Sequence, residues 1–245
     1  MDEIRQGRYL ARLAAGPDDV ARAQALRALA FFGDGAGRDI EAHDAACLHV
    51  LVEEISGGRL VCCFRLLLLE GGPEIPRSYA AEVYDLSALS AFEGRMAEVG
   101  RFCIRPGLSD PDILRVAWAA MTQLVDAQGV AMLFGCSSFA GVEADPYRDA
   151  FAVLARRHLA PRRWSPRVKA PDVFRFAERL SLHRPDLAAA MRTMPPLLRT
   201  YLMMGGWVSD HAVIDRQMGT LHVFTGVEIR AIPAARQRML RALAG

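Results

Sequence analysis

Residues 98–106, Glu-Val-Gly-Arg-Phe-Cys-Ile-Arg-Pro, read as a strand that carries charges where a buried strand should carry none. Strands at the centre of an α/β sheet are usually apolar throughout. Burying Glu98 and Arg101 costs desolvation free energy, so other groups must compensate their charges. The segment therefore predicts either a structural ion pair or a functional site, and these residues alone leave both open.

Composition narrows the class of protein. Of the 245 residues 52% are hydrophobic, and the net charge of +2 favours no charged partner. The five cysteines, an odd number, lie in apolar runs without the Cys/His spacing of a zinc site. The N-terminus has no signal-peptide pattern, and no run of 18 apolar residues occurs. We therefore expect free thiols, no bound metal and a cytoplasmic protein.

The predicted elements follow the order strand, helix, hairpin, strand, helix, strand. Ser-Gly-Gly at 56–58 separates two apolar runs and predicts a β-hairpin, because paired glycines supply the positive φ angles of tight turns. Asp110 followed by Pro111 predicts the start of a helix. This order is typical of an α/β fold with a strand–helix–strand crossover.

No boundary divides the sequence cleanly, so we expect a single domain over residues 1–245. Its core covers about 8–145, and a helical and strand extension covers about 146–245. Within the extension the pattern predicts helices over 147–158 and about 174–191.

Six short motifs follow one another along the chain. They are Phe-Arg-Leu-Leu at 64–67, Glu-Val-Gly-Arg at 98–101, Leu-Phe-Gly-Cys-Ser-Ser-Phe at 133–139, His-Leu-Ala-Pro at 158–161, Pro-Pro-Leu-Leu-Arg-Thr-Tyr-Leu at 195–202, and Ala-Val-Ile-Asp at 212–215 with Val-Phe at 223–224. In this order they resemble the N-acyltransferases of ornithine-lipid biosynthesis over nearly the whole chain. The resemblance implies a GNAT-like acyltransferase fold, a mixed central sheet flanked by helices with a helical C-terminal extension.

A more distant resemblance is to the acyl-homoserine lactone synthases, which share this fold. It rests on a set of charged and aromatic residues: Arg27, Phe31, Asp44, Arg65, Glu98 and Arg101. The lactone synthases lack the long C-terminal half with its Pro-Pro-Leu-Leu element, so the chain is more similar to the lipid enzymes.

The resemblance implies a substrate pair. Members of the ornithine-lipid family move a 3-hydroxyacyl chain from acyl carrier protein to the α-amine of ornithine, forming lyso-ornithine lipid. Residues 105–112 place two acids and two prolines where CoA-dependent GNAT enzymes have a glycine-rich pyrophosphate loop. Acyl carrier protein presents phosphopantetheine without that pyrophosphate. We therefore expect no bound cofactor, with acyl-phosphopantetheine of the carrier protein as co-substrate.

Aminolysis of a thioester requires an uncharged amine and donors for the developing oxyanion. Glu98 is the candidate base, because burial raises the pKa of a carboxylate toward a useful range. Four residues are candidates for substrate binding: Arg101, Arg65, Asp44 and Arg27. Arg101 and Arg65 suit the carboxylate of the amino acid, and Asp44 suits the distal cation of ornithine. Structural ion pairing among the four residues is the open alternative.

The acyl and pantetheine site is assigned to two segments. Backbone N–H groups around Phe102, Cys103 and Ile104 are the candidate oxyanion donors, and Ser137 and Ser138 are candidates for hydrogen bonds to pantetheine. An acyl-enzyme would need an activated nucleophile, and no nearby histidine has an assignable partner. Direct attack of the amine is therefore the predicted mechanism.

A basic run in the extension is the candidate docking surface. It contains Arg156, Arg157, Arg162, Arg163 and Trp164. An arginine patch suits the acidic carrier protein, and a tryptophan among arginines suits an anionic membrane, so both remain open beside a merely solvated surface. Peripheral contact with the inner face of the cytoplasmic membrane is thus left open, and no nucleic acid is expected.

Three alternatives remain at this point. The chain is a lactone synthase; it acylates another amino acid such as glutamine or glycine; or it is a GNAT-like module that senses carrier protein or lipid without catalysis. The last is disfavoured by Glu98, Arg101 and Arg65 together, because such a module has no need of compensated charges on a core strand.

Overall fold

The computed structural model describes residues 1–35 and 37–244, and their contacts divide the chain into two compact units. The first unit contains residues 1–68, 97–130 and the chain from 233 onward, and the second contains residues 69–96 and 131–232. The predicted single domain stays a prediction.

Strands and helices are interspersed along the chain. In chain order they are β1 (Ile4–Gln6), β2 (Tyr9–Leu13), α1 (Pro17–Phe32), β3 (Leu48–Glu54), β4 (Leu60–Leu69), α2 (Ala80–Val83), β5 (Tyr84–Asp85), β6 (Arg95–Ile104), α3 (Pro111–Ala127), β7 (Val130–Ala140), α4 (Arg148–Arg157), β8 (Arg167–Val168), β9 (Val173–Phe174), α5 (Phe176–Arg179), α6 (Leu187–Thr193), α7 (Pro196–Met203), β10 (Trp207–Val208), β11 (Ala212–Asp215), β12 (Thr220–Glu228) and α8 (Ala234–Ala244).

The sheet of the first unit has the strand order β1-β2-β3-β4-β6. The pairs β1–β2, β2–β3 and β3–β4 are antiparallel. The predicted hairpin is confirmed, since β3 and β4 pair across a turn in which Gly57 has φ 87° and Gly58 has φ 64°. The β1–β2 hairpin was not predicted; it turns at Gly7, whose φ is 57°.

Two helices pack on this sheet for reasons visible in the sequence. Helix α1 begins with Pro17 and buries Ala23 and Leu26 in one cluster with Cys63 and Cys103. Helix α3 begins after Asp110, whose Oδ1 accepts a hydrogen bond from the backbone N–H of Asp112 at 3.0 Å. This confirms the predicted cap. Helix α3 packs against β1, β2, β3 and α8.

The second unit has its own sheet in the order β7-β12-β11-β9, with β10 also paired to β12. Strand β12 pairs antiparallel with β7 over the whole length of β12. The core of this unit includes the rings of Phe139, Phe151 and Phe176, with Leu198 and Val223 beside them. These side chains come from β7, β12 and helices α4, α5 and α7, so the helices of the extension cover this sheet.

The predicted helical region over about 174–191 contains two short helices and not one continuous helix. Helix α5 ends at Arg179, α6 begins at Leu187, and a turn separates them. Pro185 disfavours a continuous helix through this region, because proline removes a backbone donor and disfavours helical geometry in the residue before it. Asp186 then caps α6 by accepting from the N–H groups of Ala188 at 2.8 Å and Ala189 at 3.1 Å. Across the described residues, no helix is long and apolar enough to cross a bilayer.

Candidate active site

Six charged side chains of the first unit form a closed ring in which arginines and carboxylates alternate. In order around the ring they are Arg27, Asp39, Arg101, Glu41, Arg65 and Asp44, which returns to Arg27. Three positive and three negative charges cancel. Mutual pairing thus compensates the charges that the sequence places in this core.

The contacts of the ring are short. Nε of Arg27 lies 2.8 Å from Oδ2 of Asp39, and the two Nη atoms of Arg27 lie 2.8 and 2.9 Å from the oxygens of Asp44. Nη1 of Arg65 donates to Asp44 at 2.6 Å, and Nε of Arg101 donates to Asp39 at 3.1 Å. Glu41 completes the ring by accepting from both Arg65 and Arg101.

Burial differs around the ring. The side chain of Arg27 is 1% exposed, whereas that of Glu41 is 19% exposed. Glu41 is therefore the member that solvent or a ligand reaches most easily. It accepts from Arg65 through Oε2 and from Arg101 through Oε1, so one carboxylate bridges two guanidinium groups.

The three acids come from one short segment between α1 and β3. Residues 42–46 form a 3-10 turn, and the Glu41 and Asp44 side chains bond reciprocally to each other's backbone N–H groups. The backbone N–H of Asp39 donates to the carbonyl oxygen of Gln24 on α1 at 3.1 Å. Sequence reasoning singled out Asp44 and missed Asp39 and Glu41. Charge balance was the available signal, since three buried arginines require three acids.

Asp44 is the most heavily bonded carboxylate of the ring. Burial opposes its ionisation, but hydrogen bonds from Arg27, Gln24 and Arg65 outweigh burial and hold the pKa of Asp44 well below its usual range. Its oxygens are thus occupied by protein donors. This arrangement favours a bracing role for Asp44 and Arg27, and their predicted role in binding a substrate stays a prediction.

The alternation of side chains between the two faces of strand β6 is interrupted at Arg101. Gly100 faces Arg65, since a Cβ atom added at Gly100 would lie 3.2 Å from Nε of Arg65. Arg65 shares a face of β4 with Cys63, and Cys103 packs with Cys63. Residues that face α1 are therefore even-numbered up to Gly100 and odd-numbered at Cys103. Arg101 has φ 53°, the sole positive φ of a non-glycine residue in the described chain, and marks the irregularity.

This irregularity decides where Glu98 lies. Glu98 is two residues before Gly100, so it shares the strand face that looks toward Arg65, and it is 5% exposed. Regular alternation would place Glu98 and Arg101 on opposite faces. Burial raises the pKa of the Cys47 thiol to about 11. The positive charge of Arg65 opposes this rise in pKa, and the negative charge of Glu98 adds to it. The Glu98 carboxylate therefore lies near Cys47, beside the ring.

The side chain of Cys103 is buried and that of Phe102 is half-buried. The Phe102 ring stacks on Phe64 at 5.4 Å between centroids, and Sγ of Cys103 lies 3.6 Å from Sγ of Cys63. The predicted role of the backbone N–H groups of residues 102–104 as oxyanion donors stays a prediction. Ile104 is half-buried at the end of β6.

Ser137 and Ser138 point to opposite faces of β7, as neighbours in a strand do. The Ser137 hydroxyl is buried and accepts a hydrogen bond from Oγ1 of Thr225 at 3.0 Å. Ser138 is exposed. The two hydroxyls therefore face different environments, and a common ligand contact through both side chains does not fit this strand.

Some residues of the basic run contact other protein groups, and others are exposed to solvent. Glu228 pairs with Arg163 at 3.3 Å and accepts from Nε1 of Trp164 at 3.2 Å, while the Trp164 ring packs on Phe92. Arg156 is exposed and donates to the carbonyl oxygen of His183 at 2.7 Å. Two further members, Arg157 and Arg162, are exposed. Trp164 is thus held by the protein itself.

Comparison with known proteins defines the class. Residues 27–119 match the family model of the acetyltransferase (GNAT) domain. The apo structure of TofI is similar over 96% of this chain and 98% of its own, with 16% identity and a TM-score of 0.51. The fold is therefore that of a GNAT acyltransferase, and the predicted fold class is confirmed.

Curated relatives define the family. The L-ornithine N(alpha)-acyltransferase of Rhodobacter capsulatus is 30% identical over 239 residues, which cover 91% of each chain. The L-ornithine N(alpha)-acyltransferase of Brucella abortus is 26% identical over 245 residues, which cover 93% of this chain and 87% of its own. This chain belongs to the L-ornithine N(alpha)-acyltransferase family, and the predicted family is confirmed.

Proposed function

We propose that this enzyme transfers a 3-hydroxyacyl chain from acyl carrier protein to the α-amine of ornithine and so forms lyso-ornithine lipid. The amine nitrogen forms the new C–N bond, the C–S bond of the thioester breaks, and the thiol of the phosphopantetheine arm leaves with a proton. Family membership supports the acyltransferase chemistry and the acceptor. The carrier-protein donor follows from the resemblance and from the degenerate loop over 105–112.

The observation that carries this proposal is the position of Glu98. A buried carboxylate on the strand face of the ring suits the removal of a proton from the attacking amine, directly or through water. The backbone irregularity at Arg101 brings Glu98, Arg65 and Arg101 to one side of the sheet. A base and a carboxylate-binding pair are the equipment that acylation of an amino acid requires.

Arg65 and Arg101 supply the amino-acid site in this proposal. The two guanidinium groups already share one carboxylate, that of Glu41. The α-carboxylate of ornithine has the same chemistry, and it would replace Glu41 as the acceptor between them. Asp44 and Arg27 then position the pair by holding Arg65 and the acidic segment in place.

The oxyanion and docking roles are assigned in this proposal to the residues that the sequence predicted for them. Backbone N–H groups of residues 102–104 stabilise the oxyanion that forms when the amine attacks. The arginines of the basic run that are exposed, including Arg157 and Arg162, attract the acidic carrier protein. Because the product is an amphiphile, release at the inner face of the cytoplasmic membrane completes the cycle.

The test is an assay of the purified protein with 3-hydroxyacyl carrier protein and ornithine, glutamine or glycine, followed by mass spectrometry of the organic extract. We expect N-acylated ornithine, and Glu98→Gln should lower kcat by about 10²–10⁴-fold because the general base is lost. Glu54→Gln, a half-exposed carboxylate outside the ring, is the matched control and should keep activity. A product with another amino acid would change the acceptor, and a fully active Glu98→Gln would remove Glu98 from the mechanism.

A further inference from the structure

The second unit contains an open cavity of about 300 Å³ that shares one residue, Arg162, with the proposed docking surface. Its lining contains three arginines, one serine, one aspartate and three apolar residues. The lining residues are Ala88, Arg162, Ser165, Pro166, Arg167, Val168, Arg175 and Asp210. Arg162 comes from a 3-10 turn over Arg162–Trp164, Arg167 from β8, and Arg175 from the residue before α5. Three separate elements thus bring a guanidinium group to one cavity.

These arginines differ from those of the ring because their guanidinium groups are not hydrogen-bonded to protein acceptors. Within residues 1–35 and 37–244, the side chains of Arg162, Arg167 and Arg175 make no hydrogen bond or ion pair, and only longer-range attraction joins Arg167 to Asp85 and Arg175 to Asp210. All three are exposed. Their donors are therefore available to a ligand, with five N–H groups on each guanidinium.

The negative charges near the cavity do not cancel the three positive ones. Asp210 is the acid of the lining, and its Oδ1 lies 2.6 Å from Nδ1 of the buried His211. That hydrogen bond lowers the pKa of Asp210, so the group is a carboxylate at neutral pH. Asp85 is the register partner of Arg167 in the β5–β8 pair and lies outside the lining. The lining keeps a net charge of +2, which favours an anion.

We propose that this cavity binds the phosphate group of a small phosphate ester. A phosphate presents several strong acceptor oxygens to planar guanidinium donors, and arginine is the residue best suited to this geometry. The Ser165 hydroxyl supplies a further donor in the lining. A volume of about 300 Å³ is at the lower end for ligand sites and suits a phosphate with a short attached arm better than a whole nucleotide.

A phosphate ester of this size has two sources, a soluble compound such as a pantetheine phosphate or the headgroup of a phospholipid. The experiment therefore has two arms on the full-length protein at low salt. One arm measures binding of pantetheine 4′-phosphate by isothermal titration calorimetry. The other measures co-flotation with phosphatidylcholine vesicles that contain phosphatidylglycerol. Neither arm requires turnover, so its outcome is independent of the proposed catalytic function.

We expect saturable binding in at least one arm. Arg167→Gln and Arg175→Gln should each weaken it about tenfold, because a charge-assisted hydrogen bond to the phosphate is lost. Asp210→Asn should tighten it several-fold, because it removes a negative charge from the lining and keeps the amide oxygen as an acceptor toward His211. Arg192→Gln removes an equal charge from an exposed site on α6, outside both the lining and the basic run, and should leave binding unchanged.

Two results would overturn the proposal. One is the absence of saturable binding in both arms. The other is an equal weakening by Arg192→Gln and Arg167→Gln, which would assign the effect to the overall charge of the unit. The opposite signs expected for Asp210→Asn and the arginine variants guard against misfolding as an explanation, since a damaged protein does not bind more tightly. Binding to vesicles alone supports the site and identifies a lipid headgroup as the source.

Discussion

Arginine serves opposite purposes in the two units of this protein. In the first unit, Arg27, Arg65 and Arg101 alternate with three carboxylates, and none of these side chains is more than 19% exposed. In the second unit, the arginines around the cavity are exposed and make no hydrogen bond or ion pair among the described residues. The residue type is the same, and the presence or absence of carboxylate partners decides whether the arginine stabilises a site or is available to bind a ligand.

The ring fixes the geometry of the candidate active site because it ties three elements together. Arg27 belongs to α1, Arg65 to β4 and Arg101 to β6, and the acids of residues 39–44 connect them. A charge buried with such partners has little freedom to reorganise. Glu98, on the same side of β6, therefore lies in a preorganised environment, which is what an electrostatic site requires.

The largest predicted effect is the breaking of the ring at its most buried member. Arg27→Met keeps much of the apolar volume and leaves Asp39 and Asp44 without their shared partner. Removing one side of a buried ion pair costs about 3–5 kcal/mol, and we expect the free energy of unfolding to fall by that amount. Urea unfolding at neutral pH measures it.

Arg157→Met, at an exposed position of α4, is the control for this substitution and should change stability little. A loss below about 1 kcal/mol in Arg27→Met would show that the remaining ring reorganises around the missing charge. The ring would then be a loose cluster, and the contrast between the two units would disappear.

The second prediction concerns acid, because the two units respond to it differently. His222 is 2% exposed, and burial lowers its pKa from 6.5 to about 4. Its Nδ1 lies 3.3 Å from the Tyr84 hydroxyl; the charge of Asp215 opposes the lowering and that of His211 adds to it. Since the unfolded chain binds a proton at higher pH than the folded chain, stability falls as pH decreases from about 6.5 to 4.

The size of this loss follows from the shift in pKa. It amounts to about 3 kcal/mol when His222 titrates fully, and about 2 kcal/mol is lost by pH 5. Asp44 of the ring, by contrast, keeps its charge there because its pKa is lowered. Urea unfolding at pH 7 and pH 5 should show a smaller difference in His222→Gln than in the natural protein. An equal difference in the two would exclude His222 as the source.

Much of this architecture is visible in the sequence because local rules determine it. The glycines at 57 and 58 supply positive φ angles that only a tight turn needs, and Asp110 before Pro111 marks a helix start. The charged strand also identifies Glu98 and Arg101 as residues that need compensation. Such features depend on a few neighbouring residues, so a single sequence carries them.

The rest depends on contacts between distant segments. Asp39 and Glu41 read as part of a glycine-rich loop, and their pairing with Arg65 and Arg101 joins residues 24 to 62 positions apart. The changed facing pattern at Arg101 has no local signature, because a positive φ at arginine is not favoured by its own side chain. Without that change, alternation puts Glu98 and Arg101 on opposite faces, and the site cannot be assembled from sequence.

The third prediction tests whether the ring opens to substrate at its most exposed member. Glu41→Gln keeps the shape of the side chain and weakens its hold on Arg65 and Arg101. If the ornithine carboxylate takes this position, KM for ornithine should fall about threefold to tenfold with little change in kcat, because roughly 1 kcal/mol of competition is removed. Steady-state kinetics at saturating acyl carrier protein measures it. A raised KM would show that Glu41 supports the arginines and does not occupy their binding site.

The smallest effect is predicted for the cavity. Arg162 has no hydrogen bond or ion pair with a described residue and shares the lining with two other arginines, so Arg162→Met removes repulsion and no attraction. We expect the free energy of unfolding to stay within about 0.5 kcal/mol of the natural value, with any gain vanishing in about 1 M salt, where the Debye length is about 3 Å. Urea unfolding in low and high salt measures both. A loss of several kcal/mol would mean that Arg162 is structural after all, and the unpartnered arginines would then belong with those of the ring.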